Sequence, residues 1–195
     1  MATVLTDIDV ASKALVLIGA NPISDFDEGT TESKVAKNIY ETIVEAALTR
    51  IRWRFASGQQ TLGRLVATPT ARFDSAYQIP TEPELLVLHA CTVLNNPIEF
   101  DIYEDKVFCN ATEDDIVVAD YTYRAATGNW PPYFTKALIY DLGGIFAGAI
   151  AQKGDLAEHY EKRSELHYQR AQTVESQQRT TRRINTRKNL INVRF

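Results

Sequence analysis

Three histidines, two cysteines and three acidic runs are the residues of this chain whose types could support chemistry. Zinc sites draw Cys and His ligands from short, recognisable spacings. His89, His159 and His167 offer none of these. On a helix His159 and His167 would sit on one side but about 12 Å apart along the axis, so packed or solvated histidines are expected and no metal. Cys91 and Cys109 fall in separate strand-like runs without ligand spacing, and read as two reduced, buried thiols. Carboxylates gather at Asp25-Asp27-Glu28, Asp101-Glu104-Asp105 and Glu113-Asp114-Asp115. A catalytic pair must flank a cleft, which spacing within a turn does not provide, so solvated turns are expected. The same loops, if they faced a pore, would repel DNA phosphates and let a duplex slide. The Gly143-Gly144-Ile145-Phe146-Ala147-Gly148 run lacks the Lys-Ser/Thr of a phosphate loop and lies inside an apolar stretch. It reads as close helix packing. No Gly-x-Ser-x-Gly elbow is present. A hydrolase built on the acidic loops and His89 has no further support, and neither an enzyme nor a bound cofactor is expected.

Charge is the stronger signal. The formal net charge is −4, yet residues 176–195 hold Arg179, Arg182, Arg183, Arg187, Lys188 and Arg194 and no acid. The rest of the chain is therefore acidic, an asymmetry that marks an interaction tail. Arginines of this kind can displace counterions from phosphate backbones, but the tail has no interleaved aromatics for stacking bases. They can also form bidentate pairs with carboxylates in a protein groove. In that case Leu190, Ile191, Val193 and Phe195 would add apolar burial.

The remaining elements must position these groups. At 195 residues with 45% apolar and 24% charged residues, the chain has the size and composition of an ordinary globular domain. Its most apolar stretch, 137–151, is interrupted by Asp141 and three glycines and is too short to cross a bilayer. The start of the chain has no basic lead, so no signal peptide and a cytoplasmic synthesis are expected. Thr6 and Asp9 have the spacing of a capping box, opening a helix with Ile8, Ala11, Leu15 and Ile18 on one face and a stop at Gly19 and Pro22. A second helix follows the polar loop 24–31, with Val35, Ile39, Tyr40, Ile43, Ala47 and Ile51 in helical period. The two should bury apolar stripes against each other. Beyond Trp53 the period changes. Residues 85–93 read as a buried strand bounded by Pro83 and the Asn95-Asn96-Pro97 turn signal. Ile98, Phe100 and Ile102 alternate as one half-buried strand, which a turn at Glu104-Asp105 pairs with 107–109. A last strand over 116–123 puts Val117, Ala119, Tyr121 and Tyr123 on one face. Pro131-Pro132 then opens a third helix, apolar nearly all round and hence central. Asp155 and Glu158 have capping spacing for a fourth, polar helix to Gln177, whose apolar residues are Leu156, Tyr160, Leu166 and Val174. The expected architecture is α+β: mainly a bundle of about four helices (1–52 and 129–178), with a small antiparallel β insertion (53–128) and an extended basic C-terminal arm (179–195).

Several of these segments together resemble one family. Residues 11–19 (ASKALVLIG), Pro22-Ile23-Ser24, Asp27-Glu28-Gly29-Thr30, Trp53-Arg54-Phe55-Ala56, Tyr77-Gln78-Ile79-Pro80, Trp130-Pro131-Pro132-Tyr133-Phe134 and Asp155-Leu156 through Tyr160 are similar, in order and spacing, to the tail tubular protein A family of short-tailed bacteriophages. The resemblance covers roughly residues 7–178. It implies a structural virion protein of the tail, made and assembled in the host cytoplasm. Such a protein is a head-to-tail adaptor that forms a ring of twelve copies between the portal protein and a tail nozzle of tail tubular protein B type. Double-stranded DNA passes through that channel during ejection without sequence recognition, and no membrane is involved. Carried over by position, Arg179, Arg182, Arg183, Arg187, Lys188 and Arg194, with Leu190, Ile191, Val193 and Phe195 beside them, would dock on the portal. The alternative is a soluble nucleic-acid-binding module that uses the same arm.

Overall fold

The computed structural model describes residues 4–67, 69 and 72–178. Helix α1 (Asp7–Leu17) starts where the capping signal stands. The Thr6 amide donates to Asp9 Oδ2 at 2.9 Å, and the Asp9 amide donates to Thr6 Oγ1 at 3.2 Å. Helix α2 (Thr31–Arg50) is capped by Thr30, whose hydroxyl accepts from the Ser33 amide at 3.1 Å. Eight strands follow: β1 (Ser57–Thr61), β2 (Gly63–Arg64), β3 (Ser75–Gln78), β4 (Leu85–Val93), β5 (Asn96–Ile98), β6 (Phe100–Tyr103), β7 (Lys106–Cys109) and β8 (Val117–Tyr123). Helices α3 (Pro132–Ala149) and α4 (Gly154–Gln177) complete the described chain.

The strands form two four-stranded sheets, ordered β1-β8-β4-β5 and β2-β3-β7-β6, with every pairing antiparallel. Cys91, Val117, Ala119 and Tyr121 of the first sheet share a core with Tyr77, Val107 and Cys109 of the second. This corrects the expected architecture. The protein is not mainly a helical bundle with a small inserted sheet; it is an α+β mixture in which two sheets stand beside four helices with a core of their own. The expected single strand through Ile98, Phe100 and Ile102 is also two. Ile98 ends β5 in the first sheet, Phe100 opens β6 in the second, and the chain changes sheets at Glu99. Ile98 and Phe100 are both half-buried on either side of the exposed Glu99, so periodicity alone hides the break, although Ile102 is exposed. The turn before β5 falls at Leu94 and Asn95, both left-handed (φ 50° and 65°), one residue ahead of the Asn-Asn-Pro signal.

Helix α3 lies at the centre of the helical core, where Phe134, Leu138, Leu142 and Phe146 are fully buried. Its three glycines cost together about 3 kcal/mol of helix propensity. Burial of those four side chains contributes about 2 kcal/mol each, so burial prevails. Gly144 also allows a close crossing, since a Cβ there would stand 3.3 Å from the Glu161 amide nitrogen and 3.4 Å from the Ala157 carbonyl. The expected pairing of α1 with α2 is weaker than supposed: both pack chiefly on α3. The expected cap at Asp155 is corrected too. Helix α4 begins at Gly154 without a side-chain cap, and Asp155 sits in its first turn, where its charge suits the helix dipole.

The two halves meet through Asp7, Tyr123 and Arg124. Tyr123 packs against both cores. Arg124 Nε donates to Glu41 at 2.5 Å, and its guanidinium lies over the Trp130 ring at 5.2 Å. Asp7 accepts from Tyr40 Oη at 3.0 Å, from Arg124 Nη2 at 3.4 Å and from the Thr127 hydroxyl. Replacing Asp7 with alanine strands the buried Tyr40 and Thr127 hydroxyls. A loss of about 2 kcal/mol is expected, measured as a lower urea midpoint with an unchanged m-value.

Candidate functional site

The arm residues Arg179, Arg182, Arg183, Arg187, Lys188, Leu190, Ile191, Val193, Arg194 and Phe195 lie outside the described residues. What the structure does place is their root and the helix that leads to it. Near the end of α4, the buried carboxylate of Glu175 accepts from the Arg54 amide at 2.7 Å and from the Tyr133 hydroxyl. Arg54 Nη1 donates to the Gln178 carbonyl at 2.7 Å. The residues just after α2, the first turn of α3 and the last turn of α4 are thus tied at one point.

Helix α4 buries a single stripe, Ser164, Tyr168, Ala171 and Glu175. Residues one place before and one place after a buried position point about 100° to either side of it. Arg163, His167 and Arg170 each directly precede a member of the stripe, and Glu165 directly follows one, with Glu161 and Glu158 on its side of the helix. One flank of α4 is therefore basic and the other acidic. On the basic flank, burial together with the fields of Lys136, Arg170 and Arg163 holds His167 below the ordinary imidazole range, and its ring lies 4.6 Å from Tyr140. On the acidic flank Glu165 pairs with Arg50, and Lys162 with Glu158 at 2.5 Å. Asp141 of α3 accepts from Tyr168 Oη at 3.0 Å. Burial raises the Asp141 carboxyl above its ordinary value; the Tyr168 hydrogen bond and Arg50 oppose this, and Glu161 and Glu165 reinforce it. An open groove of about 690 Å³ runs along this flank between Arg50, Asp141, Glu161 and Glu165.

The sequence pattern missed this arrangement because apolar residues mislead on α4. Leu166 and Val174 are 51% and 38% exposed, whereas a serine and a glutamate are buried. The readable signal was the spacing of Ser164, Tyr168 and Ala171, small and aromatic residues at i, i+4 and i+7, the spacing of one helix face.

The other candidate groups do not converge. His89 Nε2 lies 2.7 Å from Thr122 Oγ1 on the first sheet, and burial, aided by the field of Arg52 and opposed by Asp120, lowers its pKa. His159 sits on α4 with its ring 5.7 Å from that of Tyr160. Each acidic run is stapled to its own neighbourhood. Glu28 accepts from the Ser24 amide at 2.9 Å, Asp105 from Gln78 Nε2 at 3.0 Å, and Asp115 from the Thr112 amide and hydroxyl, each at 2.8 Å. These bonds hold all three carboxyls below their ordinary values, which suits fixed negative charge and not a proton donor. Cys91 and Cys109 are free and buried in the core of the two sheets. Burial, reinforced by Cys109 and Asp120, pushes the Cys91 thiol up to about 12, and burial also raises Cys109. Neither is poised as a nucleophile. Among the described residues no three His, Cys, Asp or Glu side chains are grouped to hold a metal ion, and no helix is long and apolar enough to cross a membrane.

The chain matches no protein-family model, and no curated protein matches it.

Proposed function

We propose that this protein is a structural subunit of a short-tailed bacteriophage virion, a ring-forming head-to-tail adaptor that joins the portal to the tail nozzle and forms part of the DNA ejection channel. In this role it performs no catalysis and binds no cofactor. The ordered similarity of segments over residues 7–178 motivates the reading. The structural observation that supports it most is α4: a 24-residue helix that buries one narrow stripe, exposes two flanks of opposite charge, and is clasped to the bundle by Glu175 and Arg54 immediately before the basic arm. A ring subunit needs two different, complementary faces for its neighbours, together with a further segment for the ring above.

Mixing the protein with its cognate portal ring at moderate salt tests this directly. A discrete species carrying many copies per portal is the expected result, and truncation after Gln178 should abolish it. If no such species forms and the protein instead binds duplex DNA with an affinity that falls steeply with salt, the arm belongs to a nucleic-acid-binding module and the adaptor reading fails.

A further inference from the structure

We infer that the two flanks of α4 are the faces by which neighbouring copies join, the acidic flank of one copy receiving the basic flank of the next. The inference rests on the ring reading above and names the surface through which the ring closes. Arg163 and Arg170 are seven residues apart, two helical turns, and so project from one side. Lys136 of α3 is close enough to act on the same histidine as both of them. All three are exposed, and none forms a salt bridge among the described residues. Across the buried stripe, Glu158, Glu161 and Glu165 are also exposed and repeat at i, i+3 and i+7, with Asp141 beside them in the groove. Arg50 and Lys162 neutralise part of this charge, but Glu161 has no cationic partner among the described residues.

Opposite charge on opposite sides of one helix commits the occupant to a second copy in head-to-tail order. A two-fold contact through either flank alone would set like charge against like charge. The half-exposed Leu166, which lines the groove, supplies apolar area at the joint. Like-charge juxtaposition across such a contact is strongly unfavourable, and this selects the order of docking.

Charge reversal tests the inference with full-length protein and the cognate portal ring. Glu158→Lys with Glu161→Lys makes both flanks basic, and Arg163→Glu with Arg170→Glu makes both acidic. Thermal unfolding confirms that each double variant is folded, as expected for exposed positions. By native mass, each variant alone should lose assembled rings by on the order of tenfold or more. An equal mixture should restore them, because basic-flanked and acidic-flanked copies can alternate around the ring. Variants that assemble as well as the unaltered protein overturn the inference and leave the ring reading intact. So does a mixture that fails to recover, which would assign these charges to the portal. Failure of the unaltered protein to form any multi-copy species overturns both.

Discussion

Replacing Trp53 with alanine should remove about 4 kcal/mol of stability, the largest loss expected from any single substitution in this protein. Trp53 is fully buried at the end of α2, where the chain leaves the helices for the sheets. Its ring meets Phe134 edge-on at 5.2 Å, with Phe55 at 5.9 Å and Tyr133 at 6.5 Å, and Phe55 in turn lies 4.9 Å from Phe134. Indole Nε1 donates to the Ala47 carbonyl at 2.9 Å. Truncation empties the middle of an aromatic cluster whose members come from two separate segments, so no neighbour can relax into the space without moving a backbone. Domains of this size are stable by about 5–15 kcal/mol in total, so the variant should sit close to its unfolding threshold. Trp53→Phe keeps most of the volume and loses the indole donor, and should cost about half as much. Urea midpoints at constant m-value provide the measurement. A loss below about 1 kcal/mol for the alanine variant would mean that this cluster does not anchor the helical core.

What the sequence made legible was local. The Thr6–Asp9 box is a reciprocal contact within four residues, and it forms where its letters stand. The apolar density of α3 marks it as central whatever surrounds it. The hairpin from Tyr103 to Lys106 follows from Glu104-Asp105, with Glu104 left-handed as such a turn requires. The division into two sheets was not legible, for reasons that differ by strand. β1 reads Ser-Gly-Gln-Gln-Thr, an edge strand with no apolar alternation, and it is held by main-chain pairing to β8 across some sixty residues. The sheet change at Glu99 leaves period two undisturbed. Glycine spacing in α3 told half the story. Gly144 does let a neighbouring backbone approach, whereas a Cβ at Gly148 would meet only Ala157 Cβ, at an ordinary 3.9 Å. The candidate docking faces depended on knowing which side of α4 is buried, and a stripe of Ser164, Tyr168, Ala171 and Glu175 has no hydrophobic signature.

Glu175 carries the second large expectation, and it links stability to the proposed role. A buried carboxylate with two donors is satisfied; without it, the Arg54 amide and the Tyr133 hydroxyl lose their acceptor in a dry site, at about 1–3 kcal/mol each. Tyr133 feels the same contact from the other side: burial first, and then the Glu175 hydrogen bond, raise its phenol well above the ordinary range. Glu175→Ala should therefore cost about 3 kcal/mol, and Glu175→Gln less, since its amide oxygen can still accept one of the two bonds. This cost has two possible outlets. The bundle can bear it as lower global stability, or the last turn of α4 can detach and hydrate the orphaned groups, whichever is cheaper. Hydrogen exchange separates them. Detachment would strip protection from the amides of residues 172–178 while leaving those of α3 unchanged. The Arg54 bond to the Gln178 carbonyl is part of the same clasp, so a detached last turn also releases the root of the basic arm. In the folded alanine variant, portal assembly should then fall further than the lost stability alone accounts for, because the point from which the proposed docking segment starts is no longer held to the helices. Unchanged exchange over 172–178 together with unchanged assembly would leave Glu175 as a packing residue only, and the direction of the arm would have to be set elsewhere.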